Sequence, residues 1–395
     1  MNAKRYCTLT ILIAGVALGV VAGFNLLLDP FGVYPRVHLK AFDHFRESIF
    51  NRTARAELTH RGDWNMMILG TSRPKAGMPA QHPTFGTNRV CNLSVDAARM
   101  SEAAAIFDYA RVRNPVRRVL LCLDFALSRY SLIDKSDFAE SRFNPKLSLF
   151  DYHCKNMLGG NASDRSWEFL MDYVRKQFPP AGQRNGFFVH GVKPGARQRA
   201  LFEKVFRSLS YGYAVQRASD EEMAAFRHML AVCRENNIEI TLAINPVHAL
   251  DLELLRAGDN WERFEQWKRD VVRIVAEESM EGRVAFWDFT GYWPPTTEEV
   301  PPASDGQTRM KYYFENSHFT PAMGALILDC MYGNATNEFG AKISTSNIEA
   351  HLARIREQRE AYVLTHATDV QWVQRVAKQV LATRKRTAAT AEEIE

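Results

Sequence analysis

Three residues of this 395-residue chain have the types and the spacing of acyl chemistry. Ser72 closes the run Met66-Met67-Ile68-Leu69-Gly70-Thr71-Ser72-Arg73, where an apolar stretch passes straight into a small-residue turn. His318 lies in Glu315-Asn316-Ser317-His318-Phe319-Thr320-Pro321, three residues after an acid. A serine hydroxyl is a poor nucleophile until a histidine takes its proton, and that histidine needs an acid to fix its tautomer. The chain supplies all three, in the order Ser…Glu…His. Glu315 and His318 are i, i+3, so one helical turn puts both on one face. Thr320 as N-cap and Pro321 as first helical residue then open a helix through Ala322–Tyr332. The plain alternatives are an N-cap or turn serine at 72 and a surface Glu–His pair at 315 and 318.

The elements around these residues imply a mainly parallel sheet. Short apolar runs at Met66–Leu69, Arg89–Leu93, Arg118–Leu123, Ile238–Ile244 and Arg283–Phe289 read as five strands. Amphipathic segments at Ala97–Val112, Ser219–Asn236 and Asn260–Met280 read as helices between them. Ser219 with Glu222 three residues on predicts a capping box. Strands alternating with helices make βαβ units with helices on both sheet faces, and the loop after the first strand then opens where such sheets bind ligands. Ser72 falls in that loop. Residues 125–218, aromatic and basic without clear periodicity, and the Pro-rich stretch 291–314 interrupt the alternation and read as lids. Two further amphipathic helices, Ser346–Tyr362 and Asp369–Leu381, follow. The linear division is 1–30, 31–335 with insertion 125–218, and 336–395 as a helical extension.

Composition narrows the classes. The chain is 46% hydrophobic and 24% charged, and its net charge of +5 includes no basic block long enough to track phosphates, which argues against nucleic acid as a partner. No cysteine spacing suits a metal, and nothing calls for a cofactor. Cys7 to Leu28 carries no charge and is long enough to cross a bilayer, longer than the usual core of a cleaved signal, the alternative being a signal cleaved near Val20-Val21-Ala22-Gly23. Lys4 and Arg5 ahead of it predict a cytoplasmic N-terminus. The expectation is a single-pass protein of the inner (cell) membrane with its main domain periplasmic or otherwise extracytoplasmic.

Gly70-Thr71-Ser72-Arg73 after the first strand, Asn92-Leu93-Ser94 after the second and the Glu315…His318-Phe319 stretch together resemble the SGNH/GDSL hydrolase superfamily. More narrowly, they resemble its membrane-anchored bacterial members related to alginate O-acetyltransferases. Asp29-Pro30-Phe31-Gly32, Leu123-Asp124-Phe125 and Trp287-Asp288-Phe289-Thr290-Gly291 add to the likeness, which covers about residues 25–333. It implies a flavodoxin-like three-layer α/β/α sandwich with a mainly parallel five-stranded sheet. It also implies Ser72 as nucleophile, His318 as base and Glu315 in place of the usual Asp. The implied oxyanion donors are the Ser72 amide and the amide near Ser94. The family's Gly-x-Asn-Asp block is replaced here by Leu121-Cys122-Leu123-Asp124, and Asn245 is the candidate third donor, its alternative role being to cap the turn before Pro246. Arg73 would hold substrate or pair with Asp124 as scaffold, and Asp288 would order its own loop. The implied activity is O-acetylation of an envelope or secreted polysaccharide, with a glycan acceptor and a membrane acyl-donor protein as partners. A carbohydrate O-acetyl esterase and an inactive glycan-binding subunit are the alternatives. Trp167, Trp261, Trp287 and Trp293 would stack on sugars or serve packing.

Overall fold

The computed structural model describes residues 3–49, 51–125, 136–179, 185–187, 195–215, 218–279, 284–333 and 338–392. In chain order the elements are α1 (Ala3–Leu28), α2 (Asp43–Arg46), α3 (Arg52–Arg61), β1 (Met66–Leu69), α4 (Ser72–Gly77), β2 (Val90–Asn92), α5 (Met100–Arg113) and β3 (Arg118–Leu123). There follow α6 (Ser136–Ala139), α7 (Leu149–Leu158), α8 (Gly160–Val174), α9 (Gln198–Val215), α10 (Asp220–Glu235), β4 (Glu239–Ile244), α11 (Ala249–Ala257) and α12 (Trp261–Glu278). β5 (Ala285–Asp288), α13 (Pro321–Tyr332), β6 (Ala341–Lys342), α14 (Ile348–Thr365) and α15 (Ala367–Glu392) complete the chain.

The strands form one mixed sheet in the order β2-β1-β3-β4-β5-β6. The first five are parallel, with Met66 opposite Val90 on one side and Arg118 on the other, and β6 joins β5 antiparallel. All four residues of β1 are buried, as are five consecutive residues of β3 and of β4. Consecutive burial means that both faces of these strands are covered, which is why they read as unbroken apolar runs rather than alternating ones. Among the described residues the sheet has six strands rather than five. Ala341 and Lys342 are too few to show a period, and they come from the stretch assigned to a purely helical extension.

The chain divides into two compact units. One comprises Met1–Asp63, Asp108–Asn114 and Ile133–Phe188; the other comprises Trp64–Phe107, Pro115–Leu132 and Val189–Glu395 and carries the sheet. The stretch 125–218 is therefore shared between units, and its described part is largely helical, forming α6 to α9. Its periodicity was hidden because α7 and α8 carry exposed apolar residues, among them Leu149, Phe150 and Trp167, that blur the polar face. The predicted lid at 126–135, 180–184, 188–194 and 216–217 lies outside the described residues.

In the first unit, α1 is long and apolar enough to cross a membrane. Asn25 near its end is buried and donates from Nδ2 to Met157 O and Ser163 Oγ, both at 2.9 Å. The turn that follows is held by Asp29, whose carboxylate accepts the Val33 and Tyr34 amides at 2.6 and 2.8 Å. Buried Glu57 gathers Arg61, Arg142 and the Tyr152 hydroxyl. In the second unit Ser219 does precede α10, but its side chain makes no cap bond. Glu222 instead accepts the Ser101 amide at 2.7 Å and hydroxyl at 3.0 Å, so the predicted capping box is replaced by a tie to α5.

Candidate active site

Strand β1 delivers Ser72 through a turn only glycine permits. Gly70 has φ +155°, and a Cβ there would lie 2.6 Å from Pro74 Cγ and 2.8 Å from Cys122 O. Thr71 is the N-cap of α4, its Oγ1 accepting the Arg73 amide at 3.3 Å while its hydroxyl donates to Asp124. Ser72 is the first helical residue and half-buried. At the far end of α4, buried Asn92 donates from Nδ2 to Pro74 O and Met78 O at 2.9 and 3.0 Å. The Asn92-Leu93-Ser94 segment thus fixes the helix that carries the serine.

His318 arrives on a closed loop. Tyr313 and Phe319 pair as an antiparallel bridge, and the Phe314 amide donates to His318 O at 3.0 Å. Thr320 and Pro321 start α13 as predicted, although Thr320 Oγ1 donates back to Lys311 O at 2.5 Å rather than capping. Helix α13 then meets α4 at glycines on both sides. A Cβ on Gly324 would sit 1.8 Å from Gly77 O, and one on Gly77 would sit 2.2 Å from the Phe319 ring. Only hydrogen at these two positions lets the helices approach this closely, with Ser72 opening one helix and His318 just ahead of the other.

The three residues form a relay. Ser72 Oγ lies 2.8 Å from His318 Nε2, and His318 Nδ1 donates to Glu315 Oε1. A carboxylate only accepts, so Nδ1 carries the proton and Nε2 is left free to receive one from serine. Glu315 is itself held in place, because its two oxygens accept the Ser317 and His318 amides, each at 2.9 Å. The His318 side chain is 34% exposed, so a substrate can reach it.

Arg73 links the two loops. Its guanidinium pairs with buried Asp124 and donates to Ser317 O at 3.0 Å from Nε and to Ser317 Oγ at 3.0 Å from Nη2. Burial works against this cation, but Asp124, Tyr213 and Asp251 around it raise its pKa above the ordinary arginine value. Of the two roles foreseen for Arg73 and Asp124, the observed contacts are those of scaffold. Asp251 accepts from Tyr213 OH and Asn316 Nδ2, both at 2.6 Å. Burial pushes its carboxyl up to about 6 despite the lowering pull of Arg73. These partners were missed in sequence; Asp251 sits in a short helix in which Ala249 to Leu255 are all buried, and only the interior Gly324 offered a local signal.

The proposed oxyanion donors are placed unequally. The Ser72 amide has no protein acceptor among the described residues. The Ser94 amide is already donated to Asn92 Oδ1 at 3.1 Å, a correction to its expected role. The tight turn after β2 consumes this N–H. Asn245 is buried with neither Oδ1 nor Nδ2 hydrogen-bonded to protein, so it does not cap the turn before Pro246. It lines a cavity of about 30 Å³ together with Arg73, Tyr213, Asp251 and Thr290, and none of the three relay residues lines that cavity. Space of this size suffices for a water, which would satisfy the amide. Asp288 accepts the Thr290 amide and hydroxyl at 2.8 and 2.7 Å and so orders its loop, with Lys268 and His351 also on its carboxylate. Among the tryptophans, Trp293 is buried, Trp287 stacks on Phe289 and Trp261 lies under Arg256; only Trp167 is largely open. Among the described residues no group of three His, Cys, Asp or Glu is placed to hold a metal ion. No protein-family model matches the chain, and no curated protein matches it.

Proposed function

We propose that this protein is a serine-dependent acyltransferase of the SGNH type. It acts outside the cytoplasm and O-acetylates an envelope or secreted polysaccharide. The observation that carries the reading is the 2.8 Å approach of Ser72 Oγ to His318 Nε2, with Glu315 on the opposite ring nitrogen. The parallel order 2-1-3-4-5 is that of flavodoxin-like sheets, and it reverses at β1, where such folds bind ligands. Both facts support the family reading, and Ser72 follows β1 directly.

In the first half-reaction Ser72 Oγ attacks the acyl carbonyl while its proton passes to His318 Nε2. Glu315 stabilises the imidazolium, and the proton then goes to the departing donor group. The Ser72 amide is the donor best situated for the developing oxyanion; a second one is worth about 10²–10³ in rate. In the second half-reaction a sugar hydroxyl gives its proton to His318 and attacks the Ser72 ester, freeing the serine. The exposure of His318 admits water in the same role, which favours the carbohydrate esterase as second reading. Lys4 and Arg5 before α1 support a cytoplasmic N-terminus. The acyl donor would then come through a membrane protein, and the acceptor glycan would lie on the far side.

The test is a fluorophosphonate probe on the purified chain. Labelling should depend on Ser72 and on His318. Failure of wild type to label, with the fold intact, overturns the enzymatic reading in favour of a binding subunit.

A further inference from the structure

We propose that α7 and α8 form a platform lying in the headgroup layer of the bilayer that α1 crosses, so that the first unit is seated on lipid rather than hung from a tether. The proposal rests on the reading of α1 as a membrane span. Residues 3–21 of α1 are exposed throughout. Lys4 and Arg5 stand at its start, so the uncharged exposed part runs from Tyr6 to Val21; at a rise of about 1.5 Å per residue it covers about 24 Å, and the roughly 30 Å of bilayer hydrocarbon is completed about one turn further on. Contact with the rest of the unit begins in that turn. Phe24 packs on the cluster of Leu28, Phe42, Phe45 and Phe169, and Asn25 bonds Met157 O and Ser163 Oγ where α7 turns into α8. The α7–α8 turn is therefore fixed to α1 within about one helical turn of the point at which α1 leaves the hydrocarbon.

These two helices expose the side chains that suit that depth. Phe150 is 77% exposed and Trp167 is 58% exposed, with Leu149 and Val174 also open. Tyr173 and Phe178 extend the set. Trp167 and Val174 are seven apart, on one face of α8. Aromatic residues with a polar edge favour the headgroup level, and Arg175 and Lys176, exposed beside Val174, suit lipid phosphates. Large apolar side chains open to water in this density mark an interaction surface. Continuity with α1 assigns that surface to lipid rather than to a soluble partner.

The experiment uses the full-length chain in lipid nanodiscs with and without brominated acyl chains. The other six tryptophans belong to the second unit, so Trp167→Phe isolates the signal. Brominated lipid should quench part of the wild-type emission, the variant should lose that quenching, and the same component should resist acrylamide. Emission from Trp167 open to acrylamide and indifferent to bromination overturns the platform. So does emission shielded from both, which would point to a protein partner or a second copy. Alkaline carbonate extraction distinguishes the underlying reading: a chain that stays in the pellet keeps α1 as a span even if the platform fails. A chain released to the supernatant overturns both.

Discussion

Replacing Gly324 with alanine tests whether the approach of two helices sets the Ser72–His318 distance. The new Cβ would lie 1.8 Å from Gly77 O, where ordinary contact begins at about 3.4 Å. Helix α13 must therefore back away from α4 by about 1.5 Å, since a backbone oxygen cannot rotate aside. His318 lies three residues before Pro321, where α13 begins, and Ser72 opens α4. A displacement of that size takes the 2.8 Å Ser72–His318 contact beyond hydrogen-bond reach. A misplacement of about 1 Å can cost about 10²-fold in rate, so turnover of a small acetyl ester should fall at least that far. Overpacking should also cost about 1–3 kcal/mol of stability. Ester turnover and the rate of fluorophosphonate labelling are measured beside thermal unfolding. A folded Gly324→Ala protein that is destabilised yet reacts at the wild-type rate would refute the idea that these glycines set the distance.

Ser72→Ala and His318→Ala should each abolish ester turnover, and the double variant should lose little more because the relay acts as a unit; Glu315→Gln should be milder than either. Arg73→Ala leaves Asp124 and Asp251 buried without their guanidinium and should cost about 3–5 kcal/mol in urea unfolding, with turnover reduced as Ser317 is released. The pH dependence of stability should change in Asp251→Asn. Asp251, raised to about 6, contributes stability that is present below its ordinary value of 3.8 and lost as pH climbs through 6. His248, lowered to about 4 by burial, contributes stability that is present above 6.5 and lost as pH falls towards 4. The two oppose each other between about pH 4 and 6, so the variant's stability should rise more steeply with pH there than that of wild type; equal slopes would show that Asp251 does not titrate in that window.

The sheet and the relay were legible in sequence for a physical reason. Strands buried on both faces leave unbroken apolar runs such as Met66–Leu69, and a serine or histidine at the mouth of a helix is set by local turn chemistry. The scaffold was not legible, because it is made of pairs far apart in the chain. Arg73 meets Ser317 across 244 positions, and nothing near Gly77 announces that Gly324 will press against it. Glu222 illustrates the opposite error: a local capping pattern was outcompeted by a buried tie to Ser101. Ser94 failed as a donor because the Asn92 side chain, unremarkable in sequence, turns back to take its amide.

If Ser72 carries the acyl group, mass spectrometry of acid-quenched protein after brief exposure to an activated acetyl ester will show it. The wild-type peptide containing Ser72 should gain one acetyl group, and the gain should disappear faster when an oligosaccharide acceptor is present, with acetyl recovered on the sugar. No acetyl on that peptide while the ester is being consumed, or an equal gain in Ser72→Ala, would contradict the account.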